Sequence, residues 1–235
     1  AQPQWTPETP LPHNPRDFKT PNYGLTSFGE LFTPRQLVAL GTFADLVGEV
    51  RERVEIDAFA AYPGDDVKPL REGGGGATAY ADAMAVYLAL ASSRAADAWS
   101  TVVSWRKSVE ATRGTFARQA IPMVWDYAEA NPFSASCGNW EGACLEWVEK
   151  AIVLMPASTP GFASQDDAVS QQTSADRLVS TDPPYYDNVG YSELSDFFYV
   201  WQRHTLHFIL PDLFATIAAP KAEELVASPY RHGGK

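Results

Sequence analysis

Two consecutive prolines, Pro183 and Pro184, do most to limit what this chain can build. They stand in Leu178-Val179-Ser180-Thr181-Asp182-Pro183-Pro184-Tyr185-Tyr186-Asp187-Asn188, and neither offers the backbone N–H that a central strand requires. Leu178 and Val179 suit a buried strand, which must then end at about Thr181. Asp182 and Pro183 each precede a proline, so their backbone is held extended and the carboxylate, the carbonyls and the Tyr185 ring keep a fixed relation. The acid is therefore expected at a strand tip, where open α/β sheets bind ligands. A proline turn with no further role is the plain alternative.

The rest of the chain divides around this turn. Residues 1–22 carry Pro3, Pro7, Pro10, Pro12, Pro15 and Pro21 and read as a proline-rich arm or connector, with Trp5 and Phe18 as its pins. In residues 23–62, Thr33 as N-cap and Pro34 at the first helical position open a helix. Leu37, Leu40, Phe43, Ala44, Val47 and Val50 then recur at helical spacing to about Arg53. Residues 63–76 end in four glycines; without a preceding apolar strand or a following Lys-Ser/Thr they read as a mobile linker rather than a phosphate loop.

Residues 77–235 combine helices with the proline turn. An Ala-rich helix is expected from about Thr78 to Trp99, with Tyr80, Met84, Tyr87, Leu88, Ala91 and Ala95 as its stripe. Short helices are expected from Phe116 to Ile121 and from Val124 to Glu129. Asn139 caps a further helix from about Trp140 to Met155, whose buried set is Cys144, Trp147, Val148, Ala151 and Ile152. Residues 156–175 are Ser/Gln/Asp-rich and loop-like. An aromatic helix runs from Ser192, its expected cap, to about Leu210, where Pro211 stops it.

The composition is 45% hydrophobic and 12% aromatic, enough for a core. No apolar run approaches the roughly 20 residues that span a bilayer, and a soluble cytoplasmic protein is expected. Cys137 and Cys144 have neither a disulfide-framework nor a zinc spacing, and His204 with His207 lacks a third ligand, so no metal is expected. The formal net charge of −11 opposes strong DNA binding by these residues alone.

Asp182-Pro183-Pro184-Tyr185 resembles the catalytic motif of amino-methyltransferases, which methylate adenine N6 or cytosine N4 with S-adenosylmethionine. The stretches 190–201, 31–38, 125–129 and 220–226 are similar to the large adenine-specific DNA methylases that carry a DUF1156 region and a zinc ribbon. The resemblance covers most of the chain from about Tyr23 and implies that Asp182, Pro183, Pro184 and Tyr185 are catalytic. An exocyclic amine is a poor nucleophile; the Asp182 carboxylate and the Pro183 carbonyl would draw its N–H groups towards a tetrahedral arrangement, while Tyr185 stacks on a base turned out of the duplex. It further implies cofactor contacts from Asp167, Phe32, Thr33 and Pro34. Substrate contacts are implied from Tyr186, Asn188 and Arg118, with Trp125 and Asn131 as further candidates. Ordinary roles stand open for each: a capped helix at 32–34, a solvated loop acid at Asp167.

Two parts of the family pattern have no counterpart in the 235 residues: the Cys-x-x-Cys of the zinc ribbon and the Asp/Glu-x-Phe-x-Gly-x-Gly stretch that floors the methionine site. The chain is expected to be an internal segment carrying the target-amine half of the active site. It would be inactive alone, depending on the remaining methyltransferase segments of a longer polypeptide and reaching DNA through the full-length enzyme. The expected fold is α/β, a helix-rich fragment with part of a Rossmann-like S-adenosylmethionine methyltransferase sheet of two or three strands. Its exposed sheet edge leaves homo-oligomer formation open. The alternatives are a noncatalytic helical protein-interaction module, or transfer to cytosine N4, RNA or a protein amide.

Overall fold

Thr33 opens the longest element, helix α1 (Pro34–Ala61). Its hydroxyl accepts from the Gln36 N–H at 3.2 Å, and the Gln36 side-chain oxygen accepts from the Thr33 N–H at 2.8 Å. This reciprocal box satisfies two donors that a helix start otherwise leaves bare, and Pro34 sits where no N–H is missed. The computed structural model describes residues 2–155, 161–186 and 189–231. Leu37, Leu40, Ala44 and Val47 form the buried stripe of α1, which packs against helix α2 (Ala77–Trp99).

Alanines dominate the buried positions of α2, so the helix backbones can approach closely. Arg51 of α1 donates to Asp82 of α2 at 2.7 Å, and the other Asp82 oxygen accepts from the Leu70 N–H at 3.0 Å. One carboxylate thus ties α1, α2 and the intervening loop. Asn139 caps a π-helical turn (Trp140–Leu145) by accepting from the Gly142 and Ala143 N–H groups, and the turn continues as α3 (Glu146–Leu154). Helix α4 (Tyr191–Leu206) packs on α2 and α1. Its Phe197 and Trp201 join Phe18, Phe28, Leu31, Trp99 and Ile121 in the main core.

Among the described residues the only sheet is one antiparallel pair, β1 (Trp105–Arg106) and β2 (Ala111–Thr112), with Trp105 opposite Thr112. The protein is helix-rich with a minimal sheet, and no parallel Rossmann-like sheet stands among the described residues. The buried strand expected at Leu178–Thr181 is instead an exposed coil, with Leu178 wholly in solvent. A strand needs a ladder partner, and none of the described residues supplies one there.

Other expectations change for identifiable reasons. The proline-rich segment is no loose arm. Phe28 and Gly29 donate backbone N–H groups to Thr9 and Pro7, Lys19 donates to Ile121, and Ile121 donates back to Asp17. Those last bonds also exclude a helix at 116–121, and residues 124–129 are likewise non-helical. The loop 63–76 is tightly turned: Asp66 accepts from the Lys68 N–H at 2.8 Å, and Gly74 and Gly76 lie so close to residues 66–68 that a Cβ would clash. On α3, Trp147 and Ile152 face solvent and only Cys144 of the expected set is fully buried. No helix among the described residues is long and apolar enough to cross a membrane.

Candidate functional site

The Asp182-Pro183-Pro184-Tyr185 turn lies on the surface: Asp182 and Pro183 are exposed, Pro184 is half-buried, and the Tyr185 and Tyr186 rings are 68% and 76% exposed. No described residue donates a hydrogen bond to the Asp182 carboxylate. The chain then plunges inward through Val189 and Gly190, both buried, into α4. Asn188 lies outside the described residues.

A polar network beneath this entry fixes the α4 N-terminus. Asn14 donates from one amide nitrogen to Asp17 at 2.9 Å and to Glu193 at 2.6 Å. The Ser192 N–H and hydroxyl both donate to Glu224, at 2.8 and 2.6 Å. Arg231 pairs with Glu224 and lies 3.4 Å from Glu193. Burial works to raise the Glu224 carboxyl, but the bonds from Ser192 and then Arg231 outweigh it and hold it below the ordinary carboxylate range. Ser192 is therefore not the helix cap expected; Glu224, 32 residues along the chain, serves the first turn instead. Asp196 adds an ion pair with Lys221 at 2.7 Å and accepts from the Ala219 N–H at the same distance. The clamped C-terminal segment reaches back to the motif, where the Ala227 N–H donates to the Tyr186 carbonyl at 2.7 Å.

The remaining candidates are not all brought here. Phe32 is buried, stacked on Phe197 at 5.8 Å and edge-on to Trp201 at 5.5 Å, so it joins the helix that follows the motif as a core residue. Thr33 and Pro34 are occupied in starting α1. Asp167 sits in an exposed loop, where bonds from the Val169 N–H and then Ser170 lower its pKa and close its own turn. Arg118 is exposed and bridged to Ala120 in a local turn, and Trp125 is exposed and edge-on to Tyr23. None of these six makes a hydrogen bond with residues 182–186.

One residue the sequence reading passed over is Gln36. Its side-chain oxygen completes the capping box, but its Nε2 is buried with no acceptor among the described residues. It lines a cavity of about 310 Å³ with Arg35, Ala39, Trp99, Glu129 and Pro132. Arg35 and Glu129 close part of that rim by two parallel bonds of 2.8 and 2.6 Å. The Thr33-x-x-Gln36 spacing was the available signal, since it fixes the amide so that one end is used and the other left over.

Comparison of the chain with protein-family models, with curated proteins and with solved structures gives no match in any of the three. The fit to S-adenosylmethionine must therefore be judged from the residues. Phe32, Thr33, Pro34 and Asp167 do not fit as ligands, because the ring is enclosed and the polar groups are spent on local structure. Gln36 does fit at one point: an orphaned buried donor beside a cavity calls for an acceptor such as a carboxylate.

Proposed function

We propose that this chain supplies the target-amine part of an S-adenosylmethionine-dependent amino-methyltransferase, with adenine N6 in DNA as the acceptor. What supports the reading is the combination of an outward-facing Asp-Pro-Pro-Tyr turn whose carboxylate has no described donor and a firmly clamped exit into α4. Asp182 and the Pro183 carbonyl accept the two N–H groups of the amine, drawing its lone pair out of the base ring. As positive charge grows on nitrogen, those acceptors hold it more strongly than they hold the neutral amine. The exposed Tyr185 ring stacks on the extruded base, and Tyr186, pinned through its carbonyl, keeps the turn in register.

S-adenosylmethionine, when bound, supplies the methyl group, and Gln36 is the residue of this chain suited to an acceptor end of it. A cofactor floor of the glycine-rich type is absent from the 235 residues, and the net charge of −11 gives little purchase on phosphate. Both functions fall to other segments of the working enzyme in this reading.

The test is transfer of labelled methyl groups to unmethylated duplex DNA. The chain alone is expected to be silent, and the chain joined to a cofactor-binding glycine module active. Asp182→Ala in the joined protein should reduce transfer at least about 100-fold, the scale of losing a transition-state acceptor. Undiminished transfer by that variant sinks the assignment.

A second reading, a noncatalytic interaction module, is favoured by one feature: Ile152, Val153, Leu154 and Met155 at the end of α3 are all exposed. In that case Asp182→Ala would be silent in every assay, while charges placed at Val153 and Leu154 would abolish partner binding.

A further inference from the structure

A cleft of about 670 Å³ lies between the proline-rich segment and α4, lined by residues 3–10 together with Val200, Arg203 and Ile217. The run of successive residues along it is that of a groove beside a chain, about 25 Å long when extended. It shares no residue with the proline turn at 182–186 or with the Phe32-Thr33-Pro34 turn, so its occupancy is independent of methyl transfer.

Arg203 gives the cleft its charge. The residue is half-buried, yet its side chain makes no hydrogen bond or ion pair with any described residue. Nε is enclosed without an acceptor, whereas the terminal nitrogens stay accessible. The other half-buried arginines are all paired: Arg16 with Asp17, Arg51 with Asp82 and Glu55, and Arg231 with Glu193 and Glu224. In a chain with 29 acids against 18 lysines and arginines, a partly desolvated guanidinium left without a carboxylate calls for one from outside.

The backbone beside it is only half used. The Pro7 and Thr9 carbonyls accept from the Gly29 and Phe28 N–H groups, and the Leu11 N–H donates to Thr26, so these residues turn their polar groups towards 26–29. Thr6 and Thr9 each precede a proline, which keeps the stretch extended. Successive residues of an extended chain face opposite edges, so Thr6 and Glu8 turn their N–H and C=O groups the other way. All of these groups lack a partner among the described residues, which makes this side of the segment an open strand edge.

We infer that the cleft binds an acidic peptide segment as an added strand, its backbone exchanging hydrogen bonds with Thr6 and Glu8 and one Asp or Glu side chain resting on the terminal nitrogens of Arg203. Strand addition takes its affinity from the backbone and its selectivity from the side chain that finds a partner. A polyanion does not fit: Arg203 is the one cation among the lining residues, and Glu8 stands on the same wall. A segment running the length of residues 3–10 carries its acid on a side chain rather than at its end.

The probe is the capped peptide acetyl-Ser-Thr-Val-Thr-Glu-Thr-Val-Thr-Ser-amide, whose sole carboxylate is the central Glu side chain, titrated into the intact ¹⁵N-labelled chain and followed by NMR. The Thr6 and Glu8 amide signals are expected to shift and saturate. Replacing the peptide's Glu by Gln should raise the half-saturating concentration at least about tenfold, the scale of a lost charge-assisted bond. Arg203→Gln should do the same for the Glu peptide and abolish the difference between the two peptides. The Arg203 side chain holds no other residue, so the variant keeps the fold; the peptide exchange needs no variant and covers the case in which it does not. N-methylation of one alternate set of peptide residues should abolish binding, and of the other set spare it, because only one edge of the peptide meets the segment. Thr6 and Glu8 signals unmoved at millimolar peptide overturn the inference. So do equal binding of the Glu and Gln peptides, equal effects of the two N-methylated sets, or tighter binding of a Gln peptide with a free C-terminal carboxylate.

Discussion

At Asp182 stability can be measured apart from the proposed chemistry, since its side chain is exposed and accepts from no described donor. Asp182→Ala should therefore shift unfolding free energy by no more than about 0.5 kcal/mol, the usual limit for a surface change. Chemical denaturation of the two proteins checks this, and a loss well beyond that limit would mean that the carboxylate holds structure rather than substrate. Gly190, eight residues on, is the opposite case. A Cβ there would meet Glu193 Oε2 at 2.7 Å and Asn14 Nδ2 at 3.4 Å. Gly190→Ala should consequently lower the melting temperature and loosen the turn without touching Asp182. At this scale the sequence was legible where effects are local: Thr33 and Pro34 cap and start α1 as their chemistry requires. Asn139 does likewise for the π turn. The unused donor of Gln36 could not be read in the same way, because it depends on what the distant residues 129–132 leave open beside it.

Helices α1 and α4 were readable from the 3.6-residue recurrence of apolar side chains; α2 was readable as a helix, but of its expected stripe Tyr80 and Tyr87 are exposed and only Ala91 and Ala95 are fully buried, because its small alanines face the neighbouring helices instead. The fastenings of these helices were not readable. The first turn of α4 is served by Glu224, and residues 116–121 are drawn out of helix by the backbone exchange with Asp17 and Lys19. Both depend on chain segments that come together only after folding. The Glu224 clamp carries a pH signature. Its folded-state pKa is depressed, so the stabilisation is present above the unfolded carboxyl value of about 4.3 and is lost as pH falls through the folded value. Glu224→Gln should cost about 2 kcal/mol at pH 7, where a charged acceptor to Ser192 and Arg231 is removed. The gap between the two proteins should narrow as pH falls below the unfolded carboxyl value and close once it has passed the depressed folded one. Thermal melts at neutral pH and below the folded value check it; a gap that persists in acid would assign the stabilisation to packing instead.

For the molecule as a whole, the main difference from the sequence reading is where its first residues go. Six prolines in 22 positions suit an extended chain, and extended chain can be a connector or a strap laid across a core. Here it is a strap: Phe18 and Pro7 are fully buried, Asn14 reaches Glu193 beneath α4, and Trp5 stacks on His204 at 4.1 Å and meets Trp201 edge-on. The same strap holds the coil at residue 121 by backbone bonds, in the absence of any large sheet among the described residues. Phe18→Ala should then cost about 3–5 kcal/mol, as for other fully buried phenylalanines, a large share of the roughly 5–15 kcal/mol that holds a domain together. Removing residues 1–22 should go further, uncovering Phe28, Ile121 and Trp201 together and leaving Glu193 without its Asn14 donor. The expected result is a broad, weakly cooperative melt with binding of a hydrophobic dye at room temperature, accompanied by retained helical signal from α1 and α2. A truncated protein that melts as sharply as the intact chain, at the same temperature, would show the segment to be a connector after all and would free the α4 entry from any dependence on it.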